Sequence, residues 1–149
     1  MKKIFLIFLM LPLFTLAQKT YVPDGAFEQA LINLDLDDIF DDSVFTSAID
    51  TVQILYLSND GIADLTGIEN FTALTGLFCN DNQLTELDLR NNPNLFELNC
   101  RNNLLTRLDV RNGNNLGLWY FTATFNPDLY CIDVDEVANA NANWEKDSG

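Results

Sequence analysis

Three stretches of the chain superimpose at a spacing of 21 or 22 residues: "VQILYLSNDGIADLTGIENFTA" from Val52, "LTGLFCNDNQLTELDLRNNPN" from Leu74 and "LFELNCRNNLLTRLDVRNGNN" from Leu95. Apolar residues recur in columns. Leu55, Leu77 and Leu98 make one, and Leu57, Cys79 and Cys100 the next. A polar column follows at Asp60, Asn82 and Asn103, then apolar ones at Ile62, Leu84 and Leu105 and at Leu65, Leu87 and Leu108. A fourth stretch, "LGLWYFTATF" from Leu116, extends the alignment. It places Trp119 with Leu98, Phe121 with Cys100 and Thr124 with Asn103. A period of this length means stacked turns, because no single turn can bury its own leucines.

The unit LxxLxLxxNxL resembles the leucine-rich repeat at the short end of its length range. L-x-L is a short strand with both leucines directed inward. The asparagine bends the chain, and its side-chain amide can satisfy the backbone groups left open there. "LTELDLRNN" and "LTRLDVRN" repeat the same spacing, so Leu87-x-Leu89 and Leu108-x-Val110 are expected to form strands on the opposite side. Leu65, Ile68 and Phe71 are spaced by three, which suits a helical turn in the first unit. The expected fold is a solenoid. It is a short leucine-rich repeat array of 21–22-residue units with stacked parallel strands, an N-terminal capping helix and a shortened C-terminal capping repeat.

Solenoids need covers over their open ends. "VPDGAFEQALINL" predicts an amphipathic helix capped by Asp24, with Phe27, Leu31 and Leu34 on one face. At the other end "NPDLYCIDVDEVANANANWEKDSG" predicts a closing segment. The half-turn before it reads as deleted, and Trp144 is expected to fold back on the last turn. The opening "MKKIFLIFLMLPLFTLAQ" has Lys2 and Lys3, an apolar run over Ile4–Leu16 and small Ala17, the layout of a secretory signal peptide. That run is too short for an ordinary membrane span, and no second one follows. The expected organisation is a signal peptide over 1–17, an N-terminal cap over 18–51, repeats over 52–125 and a C-terminal cap over 126–149, with the mature chain exported to the medium or the cell surface.

The signal peptide, "VPDGAFEQAL", "DLTGIENFTALTGLFCNDNQLTELDL" and "NPDLYCIDVDEV…NW" together resemble secreted leucine-rich repeat proteins of the Bacteroidetes, which are distantly similar to the internalin type. The resemblance covers nearly the whole chain. It implies binding of a protein or glycan partner rather than catalysis. In that family the array is longer and the C-terminal cap carries a further cysteine. This chain departs from it on both counts, which leaves two possibilities: a minimal protein, or a fragment of a larger surface protein.

Composition excludes several functions. The 22 acidic residues face only eight basic ones, for a net charge of −14, so a phosphate backbone is repelled and nucleic acid is not an expected partner. The chain has no histidine, which removes Ser-His-Asp and Cys-His catalysis and most zinc sites. No cofactor is expected.

The outward residue inside each L-x-L strand gives the candidate site: Tyr56, Phe78, Asn99 and Tyr120, a mostly aromatic stripe at spacings of 22, 21 and 21. Aromatic side chains on a rigid sheet can grip a peptide or a sugar ring, and cross-strand packing alone is the competing explanation. On the opposite strands Glu86 is expected beside Arg107, and Asp88 beside Asp109. The carboxylate pair is compatible in spacing with glycoside hydrolysis but lies on an open, solvated face. Asp35, Asp37, Asp38, Asp41 and Asp42 offer the oxygen atoms calcium prefers, without a calcium-loop spacing. Cys79 and Cys100 fall in an apolar column and are expected as buried thiols, a strained disulfide being the alternative.

Overall fold

In a computed structural model the described residues are 17–114, 117–137 and 144–145. The leader through Leu16 and residues 138–143 and 146–149 of the expected closing segment lie outside them. The chain opens with β1 (Lys19–Tyr21), α1 (Gly25–Asn33), β2 (Ser43–Phe45) and the short α2 (Thr46–Ile49). Eight further pieces then wind as a coil: β3 (Ile54–Tyr56), a 3-10 turn (Ile68–Asn70), β4 (Gly76–Phe78), β5 (Glu86–Asp88), β6 (Glu97–Asn99), β7 (Arg107–Asp109), β8 (Tyr120–Thr122) and β9 (Cys131–Asp133). β3, β4, β6 and β8 pair in parallel as one sheet, and β5, β7 and β9 as a second. This is a leucine-rich repeat solenoid of about four turns. Among the described residues no helix is long and apolar enough to cross a membrane.

Inward side chains of the two sheets meet in one core. Leu55, Leu77 and Leu98 from the first sheet and Leu87 and Leu108 from the second are at most 3% exposed. Each fully buried leucine contributes about 1.5–3 kcal/mol by leaving water. The helical turn expected in the first unit is a 3-10 turn, and Leu65, Ile68 and Phe71 pack into the same core.

Asparagines hold the corners after β4, β6 and β8. Asn82 accepts from the amides of Asp60 and Ile62 in the preceding turn and donates to the carbonyls of Leu57 and Cys79. Asn103 repeats this, accepting from Leu84 N at 3.0 Å and donating to the Cys79 and Cys100 carbonyls. Asn126 does so again, accepting from Leu105 N and donating to the Cys100 and Ala123 carbonyls. The residue before each ladder position is left-handed: Asn59, Asp81, Asn102 and Phe125 have φ of 63°, 60°, 53° and 61°. Asparagine and aspartate tolerate that conformation; phenylalanine does not ordinarily adopt it.

Asn126, rather than Thr124, is thus the fourth corner, and the fourth turn sits two residues later than the repeat alignment places it. Phe121 pairs with Leu98, and Thr122 with Asn99. Phe121, not Trp119, fills the core column, and Ala123 follows Cys100 in the buried column. A shift of two residues preserves which side chains face inward, so both alignments satisfy the apolar pattern. The fourth turn is also not shortened before its second strand, since β9 pairs with β7, Leu108 opposite Ile132. What reads as a deletion is this displaced start. The chain then returns to Glu145, which pairs in parallel with Thr122. Trp144 stacks on Phe121 with ring centroids 4.3 Å apart and covers that end of the core.

At the N-terminal end Asp24 caps α1, accepting from the amides of Ala26 and Phe27 at 2.9 Å. Its second oxygen accepts from the amides of Ala63 and Asp64, also at 2.9 Å, which ties the helix to the first turn. Phe27 and Leu31 are buried as the amphipathic pattern predicts, whereas Leu34 lies past the helix end and is exposed. Gly67, at φ 108°, lets β1 approach: a Cβ there would meet the Tyr21 carbonyl at 2.9 Å.

Candidate functional site: the open face of the four-stranded sheet

Two columns of side chains point outward from the first sheet. Tyr56, Phe78, Asn99 and Thr122 occupy one; Ile54, Gly76, Glu97 and Tyr120 occupy the other. Tyr56, Phe78 and Asn99 stand in line as the strand spacing predicts. Tyr120 stands one column over, opposite Glu97, because of the two-residue displacement of the fourth turn. It still reaches the stripe: its ring centroid is 6.5 Å from that of Phe78. Tyr56 and Phe78 stack at 5.0 Å with a 19° interplanar angle. Trp119 joins Tyr120 at 6.3 Å.

The resulting patch is apolar, continuous and open. Tyr56 is 61% exposed, Trp119 66% and Tyr120 39%, with Ile54 and Phe96 exposed nearby. Trp119 is absent from the sequence-derived stripe because the repeat alignment assigns it to the core. The signal that could have revealed it is Asn126, which stands five residues after Phe121 as Asn103 stands five after Leu98. Gly76 contributes no side chain. The space above it is bordered by the Phe78 ring edge at 3.4 Å, an Ile54 methyl at 3.6 Å and the Glu97 Cβ at 3.7 Å.

The second sheet carries charge instead. Asp88, Asp109 and Asp133 align across β5, β7 and β9. Arginines interleave them: Arg90 binds Asp88 at 2.6 Å and approaches Asp109 at 3.6 Å, Arg107 binds Asp133 at 2.8 Å, and Arg111 binds Asp109. Hydrogen bonds from Arg90 hold the Asp88 carboxyl below its ordinary range, and those from Arg111 do the same for Asp109. Glu86 stands opposite Arg107 as expected, but Arg107 turns its guanidinium to Asp133 and Asp109. A hollow of about 120 Å³ lies among Glu86, Asp88, Arg90, Arg107 and Asp109. Glycoside hydrolysis needs one carboxyl that keeps its proton. The Asp88 and Asp109 carboxyls are driven the other way.

Cys79 and Cys100 are buried free thiols, adjacent in the core column. Burial pushes the Cys100 thiol up to about 12 and the Cys79 thiol well above its ordinary value, with Cys100 adding to the latter. Neither is a nucleophile at neutral pH. Cys131 is exposed at the start of β9. In the acidic loop Asp41 binds Lys19 at 2.7 Å, and Glu28 accepts from the Asp41 and Ser43 amides. Among the described residues no three potential ligands converge to hold a metal ion.

No family model matches the chain. A stretch of 51 residues, 34% of this chain, is 46% identical to Internalin J of Listeria monocytogenes serotype 4b (strain F2365), and the match spans 6% of that protein's length. Among solved structures, the functional domain of InlJ from Listeria monocytogenes, described as including a cysteine ladder, is similar with a TM-score of 0.64 and 28% identity. That similarity covers 89% of this chain and 28% of the domain. The CBM51-2 and INT domains of Clostridium perfringens ZmpB are similar at a TM-score of 0.53 and 25% identity, over 66% of this chain and 21% of that one. Internalin C2 of Listeria monocytogenes, at 22% identity and a TM-score of 0.56, shares the fold over 87% of this chain and 67% of its own. By fold, the chain is an internalin-like leucine-rich repeat solenoid.

Proposed function

We propose that this chain is an exported, non-catalytic binding module that grips a protein partner with the aromatic face of its four-stranded sheet. The supporting observation is the ring-to-ring continuity of Tyr56, Phe78, Tyr120 and Trp119 on an open, rigid surface. Exposed aromatic side chains fixed in place lose little entropy on binding, which is what makes them interface anchors. A protein partner is favoured over a glycan because aliphatic Ile54, half exposed beside the Phe78 ring, widens the aromatic patch into a mixed apolar surface. The Lys2–Lys3 and Ile4–Leu16 leader supports export to the medium or cell surface.

The test presents the purified chain, and a variant carrying Tyr56→Ser, Phe78→Ser and Tyr120→Ser, to arrays of extracellular proteins and of glycans. Capture of defined proteins by the parent and its loss in a variant of unchanged circular dichroism is the expected result. Equal capture by both would remove the stripe as the site, and glycan-only capture would remove the protein reading. In a second reading, the same module is part of a longer surface protein. It draws on the parallel pairing of Glu145 with Thr122, which continues the stacking geometry one turn further. An immunoblot of source cells showing a product no larger than this chain would argue against it.

A further inference from the structure

We infer that the aromatic face selects partners that present a lysine or arginine beside an apolar side chain, and that Glu97 is the residue that receives the cation. This rests on the binding face proposed above and adds the chemistry of what it binds. Glu97 rises from the middle of the sheet, opposite Gly76 on one side and Tyr120 on the other. Its Cβ borders the same small space as the Phe78 ring edge and the Ile54 methyl. Glu97 therefore stands between the Ile54–Phe78 side of the face and Tyr120 rather than in a field of other charges.

No described residue forms a salt bridge with Glu97. The described cations are placed elsewhere. Lys19 binds Asp41 at the N-terminal cap, and Arg90, Arg107 and Arg111 serve the aspartates of the second sheet. Arg101 lies over the Phe125 ring, 4.2 Å from its centroid. Docking an apolar surface here would strip water from Glu97 without supplying a counter-charge, which opposes binding. A partner with a basic side chain avoids that cost. Its aliphatic stem lies along Ile54 and Phe78 while its head reaches the carboxylate. The net charge of −14 acts in the same direction, drawing basic surfaces toward the chain and repelling acidic ones.

Random short peptides displayed on phage and selected on the full chain test this directly. The enriched peptides are expected to carry Lys or Arg next to an aliphatic or aromatic residue. Synthetic versions should shift the backbone amide signals of Gly76, Phe78, Glu97 and Tyr120. Affinity should fall about tenfold, the equivalent of 1.4 kcal/mol, for Glu97→Gln and equally when arginine in the peptide is replaced by neutral citrulline. Glu86→Gln, on the other sheet, should bind as the parent does. Enriched peptides that lack a basic residue but shift the same amides would overturn the role of Glu97 and leave the binding face standing. Peptides whose shifts fall away from the sheet would overturn both.

Discussion

The side chain of Asn103 donates a hydrogen bond at 3.0 Å to the carbonyl of Cys79, a full turn earlier in the chain. The same amide group donates to Cys100 in its own turn, and its oxygen accepts from Leu84 N. One buried side chain thus closes backbone groups that two stacked turns leave open. Replacing Asn103 with leucine strands those groups away from water, at about 1–3 kcal/mol each. Equilibrium urea unfolding should show a loss of several kcal/mol or no folded protein. Asn99→Ala, on the outward face four residues earlier, should change stability by about 0.5 kcal/mol or less.

Phe125 stands at the left-handed position that Asn59, Asp81 and Asn102 occupy in the other turns. A non-glycine, non-asparagine residue in this conformation costs about 1–2 kcal/mol. Its contact with Arg101 returns about 0.5–1 kcal/mol. Phe125→Asn should therefore raise the thermal midpoint slightly, while Asn102→Phe should lower it. A lower midpoint for Phe125→Asn would show that the Arg101 contact outweighs the strain.

Asp109 is nearly buried and its carboxyl is held below the ordinary range, first by the Arg111 hydrogen bonds. A depressed folded-state value means that the stabilisation is fully present above the unfolded value of about 3.9 and is lost as pH falls through the folded one. Unfolding midpoints should hold steady near neutrality and drop below about pH 4. Asp109→Asn should flatten the drop and lower stability at pH 7. An unchanged acid profile in that variant would show that other carboxylates carry the dependence.

The two core thiols should be inert in the native state. Iodoacetamide at neutral pH is expected to modify Cys131 alone, and all three cysteines only after denaturation. Native labelling of Cys79 or Cys100, read by peptide mass, would mean that the core opens more readily than its packing implies.

Much of the fold is legible in the residues because each turn states it again. The inward leucines, the asparagine corner, the second strand at Leu87 and Leu108 and the Asp24 cap all follow from local spacing and chemistry. The candidate stripe is legible as far as Phe78 and Asn99, since up to there the repeat length stays at 21 or 22 residues. Beyond it the two extra residues before Leu118 break the count. The pairing of β1 with β2 was not legible either, because three-residue strands joined through a helix leave no periodic signal.

The amino-acid sequence by itself determined the period, the strands and which side of each strand faces the core. Only the tertiary structure decided which residue of the fourth turn stands beside which residue of the third. Strand side chains alternate with a period of two, so a two-residue slip costs nothing in the local pattern. Long-range bonds break the tie, when Asn126 meets the Cys100 carbonyl and Phe121 stacks under Trp144. That choice sends Trp119 from the core to the surface and sets Tyr120 beside Glu97.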